Sequence, residues 1–231
     1  MQIINNEARI TRGARIGKVG TLVGLGFLLA GLIISLIMKE SPLLWASFGC
    51  LLLGLLASSI GTMSMNRWVR EPRPDQALAQ GLKGFDERYR LYNYFLPAPH
   101  VLLSPLGLYV LTAMGQDGVI RYEGGRFRRN FSAGRLLRFM ADEGLGRPFV
   151  EADSQMEAMR RFLAENNAGE GVEIESVVVF TNPRAELVGT EFPRPVVDAK
   201  GVKKALRRQK ERKLSATQYR QLQELFDQAS N

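Results

Sequence analysis

Between Val19 and Asn66 the chain carries only two charged residues, Lys39 and Glu40, side by side near the middle of the stretch. The pair divides an apolar sequence into two runs, residues 20–38 and 43–65. A hydrocarbon core about 30 Å thick takes roughly 20 helical residues, so each run is long enough to cross once. A core helix of a soluble domain keeps a polar stripe along one face, and these runs have none. Their polar residues are Thr21, Ser35, Ser47, Ser58, Ser59, Thr62 and Ser64, types that bond back to helix carbonyls in lipid. The pattern predicts two transmembrane helices joined by the turn Lys39-Glu40-Ser41-Pro42. A cleaved signal sequence fits poorly, because the first run starts late behind basic residues and a second span follows it at once.

Past the second run the period changes. Two prolines in residues 67–75 predict a stiff linker. In residues 76–95, Leu78, Leu82, Phe85, Tyr89, Tyr92 and Phe95 recur at threes and fours, which predicts a helix. Strands follow at 100–104 and 108–114, joined through Pro105, Leu106 and Gly107. A further hairpin spans 119–122 and 126–129 around Gly124-Gly125. Helices are expected at 133–141 and 154–166, a buried strand at 176–180 and a short strand from 196. Residues 203–213 and 216–229 close the chain as helices, the last opened by a Ser215/Gln218 capping box. This gives a basic arm (1–18), two spans, a linker (67–75), an α/β domain (76–213) and a C-terminal helix (214–231).

Charge sets the orientation. Arg9, Arg12, Arg15 and Lys18 precede the first run, and Arg67, Arg70 and Arg73 follow the second. Positive flanks are retained in the cytoplasm, so both termini are expected there. Gly20 and Gly24, like Ala57 and Gly61, are spaced four apart and allow close helix approach. The lone cysteine, Cys50, excludes a disulfide framework or a thiolate metal site. No phosphate-binding loop, H-E-x-x-H motif or Cys/His cluster is present.

Several local phrases occur in a telling order. They are an opening helix with Gly84 and Glu87, the segment Pro99-His100-Val101-Leu102-Leu103-Ser104 leading to Gly107, then Gly118, Gln155, and the run Val177-Val178-Val179-Phe180-Thr181-Asn182. Across residues 82–208 the chain resembles the nuclease-related domain (NERD) family of the restriction-endonuclease-like superfamily. The resemblance implies an α/β fold, a restriction-endonuclease-like mixed sheet flanked by helices. It also implies a catalytic set: an acid at one strand end, then a Glu and a Lys two apart on the next strand. Side chains at i and i+2 share a strand face, so the carboxylates can hold Mg²⁺ and the Lys can activate water. In this sequence those positions fall on Pro99, Thr112 and Met114, none of which supplies the required chemistry. Glu87 and Gln155 remain as residual pocket candidates, with Asp86, Asp117 and Glu123 as carboxylates near them in sequence. His100, the only histidine, reads as structural.

Two basic concentrations remain. Arg121, Arg126, Arg128, Arg129, Arg135 and Arg138 alternate with Tyr122, Phe127 and Phe131, as either a solvated face or a nucleic-acid contact. Lys203, Lys204, Arg207 and Arg208 lie in the strongest basic run, residues 200–213, and suit either anionic lipid or phosphate. The expectation is a bilayer-anchored cytoplasmic module, catalytically inactive and without cofactor. It would bind nucleic acid or a protein partner, whether another membrane protein or a second copy. The alternatives are an active membrane-bound Mg²⁺-dependent nuclease with relocated ligands and a lipid-contacting structural protein.

Overall fold

The computed structural model describes residues 1–37, 43–129, 144–189, 192–208 and 214–230. The expected turn at 39–42, the expected helix at 133–141, and Arg135 and Arg138 lie outside these residues. The chain divides into two compact units, one holding the apolar helices and the other the sheet.

The apolar unit is a pair of helices, α1 (Glu7–Ile37) and α2 (Leu43–Trp68), both long and apolar enough to cross a membrane. Helix α1 starts well before the apolar run and takes in Arg9, Arg12, Arg15 and Lys18, all of them exposed or half-exposed. Glycines form its contact with α2. A Cβ on Gly24 would fall 2.5 Å from the Ser58 amide nitrogen, and one on Gly20 would fall 3.1 Å from Gly61 Cα. The small residues noted in the sequence thus face each other across this pair. Large apolar side chains such as Leu22, Leu36, Trp45 and Met63 point outward, all more than half exposed. Thr21, Ser47 and Ser59 bond to the carbonyls of Gly17, Leu44 and Leu55, as expected of hydroxyls in an apolar helix.

The second unit is a mixed α/β domain. Its main sheet is built from β1 (Gln2–Asn5), β2 (Arg90–Asn93), β3 (His100–Ser104), β4 (Gly107–Met114), β7 (Ile174–Phe180) and β9 (Val196–Asp198), adjacent in that order. β2, β3 and β4 are antiparallel neighbours; β1 joins β2, and β7 joins β4 and β9, in parallel. β5 (Gly118–Glu123), β6 (Arg126–Arg129) and β8 (Ala185–Val188) form a separate small sheet.

Alternation sorts the main sheet onto two faces. Leu91, Leu102, Tyr109, Leu111, Val177 and Val179 pack beneath α3 (Pro74–Gly81) and α5 (Val202–Arg208). Tyr92, Val101, Leu103, Leu108 and Val110 pack beneath α4 (Pro148–Glu165) and α6 (Ala216–Ala229). Both faces are covered, which explains why β3 and β4 read as near-continuous apolar runs. Helix α6 carries the expected capping box, with the Ser215 hydroxyl accepting from the Gln218 amide. It also belongs to the core: Leu222 and Phe226 are fully buried, and Asp227 bonds both Arg90 and the Tyr92 hydroxyl.

Three expectations are corrected. The helix expected over 76–95 stops at Gly81, and residues 90–93 form β2 instead. Leu82–Gly84 is a turn, with Gly84 at φ +86°, a conformation that suits glycine. The arm expected at 1–18 is instead an edge strand followed by the first turns of α1. The helix expected from 154 begins six residues earlier, at Pro148, where proline suits a first-turn position.

Candidate functional site

Strand β4 runs between the two covered faces and ends at the positions where the superfamily resemblance places its Glu and Lys. Thr112 and Met114 lie two apart and share the α4-facing side, so the spacing does bring them to one face. Thr112 is fully buried, and its hydroxyl donates to Gln155 Oε1 at 3.0 Å; the Gln155 amide in turn donates to Glu151 at 3.1 Å. Met114 lies in an apolar cluster with Ile120, Ala152, Val178, Phe180 and Val196. Around that cluster stand Tyr122, Phe127, Phe149 and Phe192, with ring centroids 5.0–6.2 Å apart. Pro99 directly precedes β3 and contributes its carbonyl, which accepts the Tyr94 amide at 2.7 Å.

The remaining carboxylate candidates are dispersed in role. Glu87 lies in an exposed turn rather than on a helix, so its expected place on the opening helix is corrected. Its neighbour Asp86 is engaged by Arg88, whose hydrogen bond holds the carboxyl below its usual value. Asp117 is bound by Arg129 and sits 3.4 Å from Arg184. Glu123 is exposed on the β5–β6 hairpin, opposite Arg126. Among the described residues no group of three or more His, Cys, Asp or Glu side chains could hold a metal ion.

The arginines of the small sheet divide by strand parity. Arg121, Arg126 and Arg128 are exposed, and Arg121 stands directly across from Arg128. None of the three makes an ion pair among the described residues. Glu123 and Glu186 are also exposed on these strands, so the outward face is mixed in sign with a basic excess. Arg129, grouped with the others in the sequence reading, is corrected: its side chain is 8% exposed and donates to both the carbonyl and carboxylate of Asp117.

The second basic group sits on α5. Lys203 and Arg207, one turn apart, lie over the Phe85 ring at 5.2 and 5.8 Å from its centroid. Phe85 stacks on Tyr89 at 4.1 Å. Lys203 also donates to the Lys83 carbonyl at 2.9 Å. Burial, and then the Asp86 charge, raise the Tyr89 phenol above its ordinary value, with Arg88 and then Arg207 opposing them. Lys204 and Arg208 are exposed.

One polar constellation escaped the sequence reading. The Asn93 amide donates to Asn5 at 2.8 Å, and its oxygen meets His100 Nδ1 at 2.8 Å. The His100 ring packs edge-on to Tyr94, whose hydroxyl lies 3.5 Å from Asp75, and Asp75 is held by Arg73. Asn93, Tyr94, His100 and Asp75 are all buried. The reading of His100 as structural agrees with this setting. The only advance signal was an Asn inside an apolar strand, where a buried amide must find partners.

No family model, no curated protein and no solved structure matches the chain.

Proposed function

We propose that this chain is a membrane-anchored module whose NERD-like, restriction-endonuclease-like domain holds nucleic acid and does not cleave it. The observation that carries the reading is the condition of the two β4 positions. Thr112 spends its hydroxyl on Gln155, and Met114 is enclosed by aliphatic and aromatic side chains. Neither offers a metal ligand or a base, and the roles of Mg²⁺ binding and water activation have no occupant there.

The two apolar helices supply the anchor, with both termini in the cytoplasm. The basic residues flanking the helix pair support that orientation. The exposed Arg121–Arg128 pair supports the choice of ligand. Like charges directly across a strand pair repel, and a phosphate between them relieves the repulsion while supplying sequence-independent affinity.

The test uses the full chain in nanodiscs of neutral lipid, a fluorescent oligonucleotide, and Mg²⁺. Salt-sensitive binding, weakened several-fold by Arg121→Gln with Arg128→Gln and unaccompanied by cleavage, is the expected result. Mg²⁺-dependent turnover abolished by Glu87→Ala would overturn it in favour of an active nuclease with relocated ligands.

A further inference from the structure

Six basic residues lie on α5 or on the segments beside it: Lys83, Lys200, Lys203, Lys204, Arg207 and Arg208. None of them makes an ion pair among the described residues. The closing helix dipole accounts for Arg207 and Arg208 in the last turn. It does not account for Lys83 on the preceding turn, for Lys200 ahead of the helix or for Lys203 in its first turn. Asp86, three residues from Lys83, is itself engaged by Arg88.

The group is also partly ordered in advance. Lys203 and Arg207 rest on the Phe85 ring, which is itself stacked on Tyr89, and the Lys203 ammonium is tied to the Lys83 carbonyl. Gly84 is part of this arrangement, because a Cβ there would fall 2.8 Å from the Lys203 Nζ. Cations held by ring faces and a carbonyl lose less side-chain freedom when an anion arrives, which favours binding over a loose lysine surface.

We infer that this face of α5 is a second phosphate-backbone contact for nucleic acid, distinct from the Arg121–Arg128 pair and from the β4 positions. The inference rests on the reading that the module binds nucleic acid. A bilayer is the competing occupant for such charge, and the experiment below separates the two.

The experiment uses the full chain in phosphatidylcholine nanodiscs, titrated with a fluorescent 30-nucleotide duplex across a salt series. The variant Lys200→Gln/Lys204→Gln/Arg208→Gln changes only exposed side chains that pack on nothing described, so folding is spared. The expected result is at least a tenfold loss of affinity and a log–log salt slope shallower by about 2–3, since each phosphate contact contributes about 0.9. A second variant, Phe85→Leu, removes the ring beneath Lys203 and Arg207 and should weaken binding with little change in slope, because no charge is lost. Unchanged affinity and slope in the triple variant, with the wild type binding normally, would overturn the inference and leave the general reading intact. Absence of wild-type binding would overturn both. Loss of association with phosphatidylserine nanodiscs at unchanged duplex affinity would assign the face to lipid and overturn the inference.

Discussion

Met114→Lys introduces the residue type that the proposed family resemblance would place at this position, and its consequence follows from the surroundings. Met114 is 4% exposed and belongs to an apolar cluster with Ile120, Ala152, Val178, Phe180 and Val196. An ammonium there must give up its proton or disrupt the packing. Holding the amine neutral at pH 7 against an ordinary value of about 10.4 costs about 4–5 kcal/mol, a large share of the roughly 5–15 kcal/mol that stabilises a typical domain. The sign is checkable. The folded state binds fewer protons than the unfolded one, so the deficit relative to wild type shrinks as pH rises, by about 4 kcal/mol between pH 7 and pH 10. Urea unfolding of the full chain in detergent, followed by tryptophan-independent far-ultraviolet dichroism, measures it, with Met114→Leu as a volume control costing under about 1.5 kcal/mol. A deficit below about 1 kcal/mol at pH 7 and flat with pH would mean that water reaches this position. That outcome would refute the sealed site on which the non-catalytic reading depends.

Two further outcomes test the frame around the site. Asp227→Ala strands the buried Tyr92 hydroxyl and the Arg90 guanidinium, whose side chain is 13% exposed. Because Asp227 is itself 37% exposed, the expected loss is about 2 kcal/mol by thermal unfolding; a double-mutant cycle with Tyr92→Phe that shows no coupling would dissociate the hydroxyl from Asp227. Gly24→Leu drives a side chain against the Ser58 backbone and should move the helix axes apart by about 2 Å, toward the roughly 8–10 Å spacing of helices with ordinary side chains between them. Spin-label distances between positions 16 and 63, with Cys50 replaced by serine, measure this; Gly26→Leu meets nothing within 4 Å and should leave the distance unchanged, while an unchanged distance in Gly24→Leu would reject the glycine contact.

How legible the fold was depended on how local each signal is. The β3–β4 and β5–β6 hairpins were readable because turn glycines punctuate continuous or alternating apolar positions, as at Gly107 and Gly124-Gly125. Helix α6 was readable from its cap. β2 was hidden because Leu82, Phe85, Tyr89 and Tyr92 happen to keep helical spacing. Yet Leu91 and Tyr92, adjacent and both fully buried, serve opposite faces of a sheet, an arrangement a strand permits. β1 was hidden for another reason: Gln2-Ile3-Ile4-Asn5 is short, and its partner lies more than eighty residues away. At the site, strand parity placed Thr112 and Met114 on one face and also separates Arg129 from Arg126 and Arg128. What parity does not carry is the partner of each side chain. Gln155 for Thr112, Asp117 for Arg129 and Phe85 for Lys203 all come from tertiary structure.

The strand that was hardest to read bears most directly on the proposed orientation. β1 precedes α1 in the chain, and β2, with which it pairs residue by residue from Gln2↔Arg90 to Asn5↔Asn93, follows α2. Two strands of one hydrogen-bonded ladder occupy one compartment, whatever lies between them in sequence. If α1 and α2 cross a bilayer, the outer ends of both must therefore open on the same side. That requirement is independent of the basic flanks, which in the proposed reading set the side. A largely buried polar run leads from Asn5 through Asn93 to His100, and from Tyr94 to Asp75 and Arg73. A polar chain of this kind is costly to break once formed, because each member left unpaired in the core loses about 1–3 kcal/mol. The N-terminal residues are thus part of the sheet domain's folding, and a fragment beginning at Pro74 would lack an edge strand and the Asn5 partner of Asn93.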